Sequence, residues 1–169
     1  SAWTGDGRIA FLIKELGDYT SGLAARLKGR AAVKVEGPWG RFDFSGDAPR
    51  QIWVSGGVGI TPFIARMQHL GQNPDGRPVD FFLSVPTPYP VGDELLRRDA
   101  EAAGVNLHLH YSDSAGFLTA EHIRQAVPQL AEADIWFCGP AGLGTSLKEG
   151  LEKLGISTER FHQELFEMR

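Results

Sequence analysis

The segment Ile52–Phe63, IWVSGGVGITPF, limits what this chain can fold into more than any other stretch. Ile52-Trp53-Val54 reads as a short buried strand, and Phe63, Ile64, Met67 and Leu70 then fall at helical spacing. Gly56, Gly57 and Gly59 therefore lie in a strand-to-helix turn. Glycine there permits a positive φ and lets another group come close to the backbone. Ile60 follows the turn, Thr61 suits a helix cap, and Pro62 suits a first helical turn. A helix entrance built this way offers unpaired N–H groups and the positive end of the helix dipole, which suits a phosphate. The same spacing also serves a tight turn whose glycines are needed for sterics alone. The rest of the chain has to decide between the two.

Beyond about Pro49 the pattern is regular. Strands expected at Ile52–Val54, Asp80–Val85, Asn106–Tyr111 and Ile135–Cys138 alternate with helices near Pro62–Leu70, Asp93–Ala103, Thr119–Val127 and Gly142–Leu154, and a last strand spans Arg160–Phe166. This alternation predicts an α/β fold with a doubly wound, five-stranded parallel sheet. Such sheets bind ligands beyond the carboxyl ends of their strands, where the winding reverses. A second glycine-rich strand end, FCGPAGLG at Phe137–Gly144, meets that description. Two such turns in one sheet favour a nucleotide site over the purely steric reading.

Before the polar linker Ser45–Arg50 the texture differs. Gly5-Asp6-Gly7 turns into an alternating strand, Arg8–Glu15; a short helix is expected from about Ser21 to Leu27, and AAVKVEGPWGRFDF reads as strand, turn and strand. Residues 1–47 thus form one unit and 48–169 another. The chain lacks an initiator methionine and begins inside what reads as a hairpin, which suggests a fragment.

Composition excludes several functions. A net charge of −4 with no Lys/Arg run argues against nucleic acid as a partner. One cysteine, Cys138, allows neither an internal disulfide nor a cysteine-ligated zinc or iron–sulfur site within this chain. The five histidines show no ligand spacing, and His108 and His110, two apart on a strand, read as a partly exposed pair rather than a metal site. No apolar run reaches the roughly 18 residues needed to span a bilayer.

Taken together, GDYTSGL (17–23), VEGPWGRF (35–42), GGVGITPF (56–63), FCGPAGL (137–143) and FHQELF (161–166) resemble the ferredoxin–NADP reductase superfamily, most of all its ferric reductase and NADPH oxidase branch. The resemblance implies an antiparallel FAD-binding barrel, here only its C-terminal part in 1–47, followed by an NAD(P)-binding domain in 48–169. It also implies hydride transfer from NAD(P)H to FAD, with electrons leaving to a heme, ferric or oxygen acceptor. On this likeness Gly17, Tyr19, Thr20 and Ser21 would meet the FAD pyrophosphate, and Gly56, Gly57, Gly59, Ile60, Thr61 and Pro62 would hold the nicotinamide nucleotide. Cys138, Gly139 and Pro140 would abut the nicotinamide, Glu164 would lie near the reacting atoms, and Phe166 would cover the flavin ring. No resident metal is implied. Where relatives place an arginine for the 2′-phosphate of NADPH this chain has Pro86 and Thr87, with Ser84 the nearest donor, so NADPH should gain little over NADH. The likeness further implies a parent protein with a heme-containing membrane domain, this part lying on the cytoplasmic side. With the barrel's flavin-gripping strand expected upstream of Ser1, FAD should be held weakly by these residues alone. A soluble flavin or oxygenase reductase component and a non-catalytic nucleotide-sensing module remain as alternatives.

Overall fold

A computed structural model describes residues 2–3, 7–29, 31–37 and 42–164. In chain order the elements are β1 (Ala2–Trp3), β2 (Ile9–Ala10), α1 (Asp18–Ser21), α2 (Leu23–Arg26), β3 (Arg50–Gly56), α3 (Thr61–Gln72), β4 (Val79–Val85), α4 (Pro90–Ala103), β5 (Val105–Tyr111), α5 (Ser112–Ala115), α6 (Ala120–Ala126), β6 (Ala133–Cys138), α7 (Ala141–Lys153) and β7 (Phe161–Glu164). The five strands from β3 onward form one parallel sheet in the order β5-β4-β3-β6-β7. β3 is followed on one side by β4 and β5, and the chain then crosses back to lay β6 and β7 on the other. The winding therefore reverses between β3 and β6, at the two glycine-rich turns.

The expected α/β architecture is present, with boundaries within a few residues of the sequence reading. Burial explains why its strands were legible. Ile52, Val54, Phe82, Ile135 and Phe137 point to one face, where α6 and α7 cover them with Ile123, Leu147 and Leu151. Trp53, Phe81, Leu83, Trp136 and Cys138 point to the other, under Phe63, Met67 and Leu70 of α3 and Leu96 of α4. A strand buried on both faces reads as a continuous apolar run, which is how β3, β4 and β6 look in the sequence.

Residues before 50 depart from expectation. The strand expected over Arg8–Glu15 is reduced to Ile9–Ala10, paired antiparallel with Ala2–Trp3. The helix expected over Ser21–Leu27 is instead two single turns, α1 and α2, broken at Gly22. Among the described residues of 31–44 no strand forms. A strand needs a neighbour to take its N–H and C=O groups, and here Phe11, Leu12, Ile13, Val33 and Val35 are all exposed, with no partner strand beside them. The composition change near Ser45 is also not a packing boundary. Phe44 and Ala48 are buried in the core of the second unit, and Phe42 and Phe44 make edge and tilted contacts with Trp136 at centroid distances of 5.1 and 5.2 Å.

At the opposite end of the sheet from the glycine turns, buried Asp80 of β4 accepts hydrogen bonds from Asn106 Nδ2 (2.7 Å) and pairs with His108 Nε2 (3.0 Å), with Arg50 at 3.7 Å. His108 stacks on Phe82 with ring centroids 4.2 Å apart. Burial opposes the charge on Asp80, but the hydrogen bonds from His108 and Asn106 and the charges of His108 and Arg50 outweigh it, and its pKa lies below the ordinary carboxylate value. A lowered pKa adds stability that is present above about pH 4 and is lost as the pH falls through the folded-state value. Asp80→Ala should cost about 0.5–1.5 kcal/mol in urea denaturation at pH 7, because it removes the shared acceptor of exposed Asn106 and half-buried His108, both of which can turn to water. The gap between variant and wild type should narrow as the pH falls below the unfolded carboxylate value of about 4 and through the lower folded-state value.

Candidate functional site

The two glycine-rich turns lock into each other through their backbones. A one-turn 3₁₀ segment, Gly57–Ile60, follows β3 and leads into α3. A Cβ on Gly59 would lie 2.1 Å from the carbonyl oxygen of Cys138, and one on Gly139 would lie 2.9 Å from the nitrogen of Gly56. A Cβ on Gly56 would meet Pro140 Cδ at 2.7 Å. These three glycines are required by packing. Gly57 differs from them, since its φ is +56° and a Cβ there would meet nothing within 4 Å. The steric and the ligand-approach readings of the motif therefore both apply, to different residues.

Thr61 does not cap α3, contrary to expectation. The N-cap position is Ile60, and the Thr61 N–H is taken by the carbonyl of Val58 in the preceding 3₁₀ turn. That turn continues the hydrogen-bond ladder backward, so no side-chain cap is needed. Pro62 occupies the first turn of α3 as expected. The second helix entrance is the barer one: Pro140 is the N-cap of α7, no side chain caps it, and only Leu143 and Gly144 reach back to the Pro140 carbonyl. A 13-residue helix with an uncapped start presents N–H groups and its positive dipole end to whatever lies in front of it.

In front of it is a cleft of about 510 Å³ that brings together Gly56, Gly57, Ser84 and Pro140 from the sequence expectation. Among the residues it adds that the sequence did not single out as site residues are Lys14, Ser112, Phe117, Gly142 and Ser146. Among the described residues Lys14 is the one cation in its lining, and it reaches the cleft from the first 47 residues. Nothing local in LIKELG marks that lysine; only the fold carries it to the strand ends. A second, more apolar groove of about 440 Å³ shares Gly57 and is lined by Ile60, Leu12, Tyr89 and Asp93.

Cys138 ends β6 beside Glu164 of β7 in the sheet register, and Ser55 of β3 is its partner on the other side. Cys138 is fully buried. Burial first, and the nearby charge of Glu164 second, push its thiol up to about 12. It is therefore a neutral, compact group at physiological pH and not a nucleophile. Phe166 lies outside the described residues. Gly17, Tyr19, Thr20 and Ser21 form the exposed turn α1 and line neither groove. There the Thr20 hydroxyl accepts from the N–H groups of Leu16 (2.8 Å) and Gly17 (3.2 Å), while Arg26 lies 4.2 Å over the Tyr19 ring and donates to the Tyr19 carbonyl. The threonine is thus occupied within its own turn, leaving the Tyr19 ring, 70% exposed, as the open surface. Among the described residues no cluster of three metal-binding side chains occurs, and no helix is long and apolar enough to cross a membrane.

Fold and cleft together define a ferredoxin reductase-like FAD/NAD-binding domain fold. The comparisons agree. The chain is similar to the FAD/NAD-binding domain of nitric oxide dioxygenase from Vibrio cholerae, with a TM-score of 0.69 at 22% identity over 89% of this chain and 65% of that one. In sequence it is 30% identical to flavohemoprotein B of Dictyostelium discoideum over 90% of this chain, and 30% identical to an NADPH oxidoreductase of Mycobacterium tuberculosis over 89%. It spans about 40% of the length of each of these two relatives. No protein-family model matches it.

Two expectations follow from this geometry. Gly59→Ala should lower stability by about 3 kcal/mol in urea denaturation, because the Cys138–Gly139 backbone stands where the added methyl would go, while Gly57→Ala should cost only about 1–2 kcal/mol of left-handed strain. Cys138 should resist iodoacetamide at pH 8 in the folded protein and react promptly in denaturant, since only about one thiol in ten thousand is ionised and none is accessible.

Proposed function

We propose that the chain is the nucleotide-binding module of a flavin-dependent NAD(P)H oxidoreductase, with NAD(P)H lying along the cleft at the β3–β6 switch point. The carrying observation is the convergence on one cleft of an uncapped helix entrance, an open left-handed glycine and one lysine. The entrance of α7 and Lys14 hold the pyrophosphate, and Gly57 lets it approach the backbone. Ser84 and Ser112 offer hydroxyls to a ribose. Gly139 and Pro140 lead the other arm of the nucleotide toward Cys138 and Glu164.

Bound FAD would supply the hydride-accepting ring, and NAD(P)H the hydride. The chain's own residues contribute position. Buried, neutral Cys138 gives the end of β6 a small surface that neither attacks nor repels a ring placed against it, and partly buried Glu164 fixes a negative charge beside it. No acid–base group is required, because a hydride passes directly between two rings held in contact and alignment. The exposed Tyr19 ring is the described surface on which a flavin nucleotide would rest in the first unit. Residues 1–47 then belong to a flavin-binding barrel and 48–169 to the nicotinamide domain.

Downstream, electrons pass to a heme-bearing or oxygenase partner. The relatives support this: two have names or titles that join such a reductase to heme or dioxygenase chemistry, flavohemoprotein B and the electron transfer component of toluate 1,2-dioxygenase from Pseudomonas putida. A ferric reductase or NADPH oxidase arrangement, with the heme in a membrane domain and this module on the cytoplasmic side, is the narrower form of the proposal.

Titration calorimetry with NADH should give saturable binding to the wild-type chain. Gly57→Val should abolish it, by placing a β-branched side chain at φ +56° facing the cleft. Lys14→Gln should weaken it about tenfold, the lower range of a charge-assisted contact for an exposed lysine. NADPH should bind less than a hundredfold better than NADH. Equal affinity for Gly57→Val and wild type would remove the cleft from consideration.

A further inference from the structure

Residues 112–119 form one wall of the cleft, with Ser112, Phe117 and Leu118 in its lining, and two histidines that the nucleotide reading does not use hold that wall in place. Near its start the Asp113 N–H donates to the carbonyl of Pro86, just past β4 (3.1 Å). In its middle the Gly116 carbonyl accepts from His110 Nε2 of β5 (2.8 Å). At its end Thr119 and His122 cap α6 reciprocally: the Thr119 hydroxyl accepts the His122 N–H (3.2 Å), and His122 Nδ1 accepts the Thr119 N–H (3.2 Å). A cap of this kind ordinarily has glutamate or glutamine where His122 stands, and of the three only histidine loses its acceptor atom between about pH 5 and 8. The His110 and His122 rings lie 5.2 Å apart between centroids.

The hydrogen bonds assign each neutral ring one tautomer. His110 donates through Nε2 and keeps its proton there; His122 accepts through Nδ1 and keeps its proton on Nε2. A further proton on His122 goes to Nδ1, so two donors face each other. The Thr119 hydroxyl, 3.1 Å away, can take the ring proton, but the Thr119 N–H then loses its partner. The new charge also lies in the first turn of α6, where cations are unfavourable, and beside His110. His110 keeps its bond to Gly116 when protonated, so His122 is the member that lets go. Nearby charges do not cancel this. Glu121 of α6 is held by Arg124 (2.6 and 2.7 Å), and Asp113 of α5 is exposed. On β5 His108 is engaged by Asp80; on α7 Lys148 lies over the Phe161 ring, and Glu149 and Glu152 are exposed. We propose that His110 and His122 form a proton-sensitive latch on the cleft wall: neutral, they hold residues 112–119 in place, and protonation of His122 releases the segment and weakens nucleotide binding. The closed latch has no place for a second proton on His122 and the open segment has one, so the latch is full above the imidazole range and is lost as the pH falls through it. The effect on binding rests on the dinucleotide reading above; the latch itself does not.

Hydrogen exchange of residues 112–123 and calorimetry with NADH, each at about pH 7.5 and about pH 5.5, read the latch and its consequence separately. At the lower pH, wild type should lose about tenfold in protection, after correction for intrinsic exchange, and bind NADH about threefold more weakly. His122→Gln keeps a side-chain acceptor at the same place without a titrating nitrogen, so its protection should be equal at the two pH values and its NADH affinity should fall less than that of wild type. His110→Gln keeps a donor for Gly116 but no second charge, and should move the opening to lower pH. His122→Ala should show the low protection of acidified wild type at the higher pH as well. Protection independent of pH in wild type, or an equal acid loss in His122→Gln, would overturn the latch. A latch that opens while NADH affinity stays constant would overturn its control of the cleft. A latch that opens in a chain binding no NADH at either pH would support the latch and remove the dinucleotide reading.

Discussion

Backbone contact between the ends of β3 and β6 is the constraint on which the rest of the site depends. Gly59 lies against the Cys138 carbonyl and Gly139 against the Gly56 nitrogen, closer than any side chain would allow. This contact sets the two turns side by side, directs the 3₁₀ segment into α3, and turns the entrance of α7 toward the space in front of the sheet. Glycine at these positions contributes nothing to a ligand directly. It fixes the geometry in which an unoccupied backbone surface, at Gly57 and along the start of α7, faces outward. The cleft is a consequence of how tightly the strand ends close.

A second set of contacts ties the linker to this frame. Buried Gln51 donates to the Phe44 carbonyl (3.0 Å) and accepts from Trp53 Nε1 (2.9 Å). Asp134, buried at the start of β6, accepts from the Ala48 N–H (3.3 Å) and pairs with His162 of β7 (3.2 Å), and that histidine stacks on Trp136 at 4.1 Å. Gly46, at φ +136°, passes so close to the Asp134 carboxylate that a Cβ would lie 2.3 Å from it. Polar groups buried this way are stabilising only when satisfied, and their partners sit on both sides of the composition change at Ser45. Residues 42–48 are therefore packed into the core of the sheet.

The site's chemistry is one of exclusion and placement. Cys138 is kept neutral by burial and by Glu164, so under the proposed function the side chain at the end of β6 is compact and inert.

Much of this was legible in the sequence. Ile52–Val54, Asp80–Val85 and Ile135–Cys138 declare buried parallel strands because both faces of the sheet are covered, and their few polar positions, Asp80 and Ser84, stand near a strand end and leave the apolar run between them unbroken. The glycines and Pro62 declare the turns because few other residues satisfy them. Three things were decided only by tertiary structure. Which glycines pack and which one stays open depends on whether another backbone lies opposite, and that is a property of two strand ends 80 residues apart in the chain. Thr61 fails to cap α3 because a 3₁₀ turn, whose formation depends on the packing of Gly59, takes its N–H first. Lys14 and Phe117 carry no local signal, since a lysine in a polar stretch and a phenylalanine in a loop are ordinary until the fold brings them to one cleft. The strands expected in 1–47 show the converse limit: alternation marks a residue pattern that suits a sheet, but a strand exists only where a neighbour takes its hydrogen bonds.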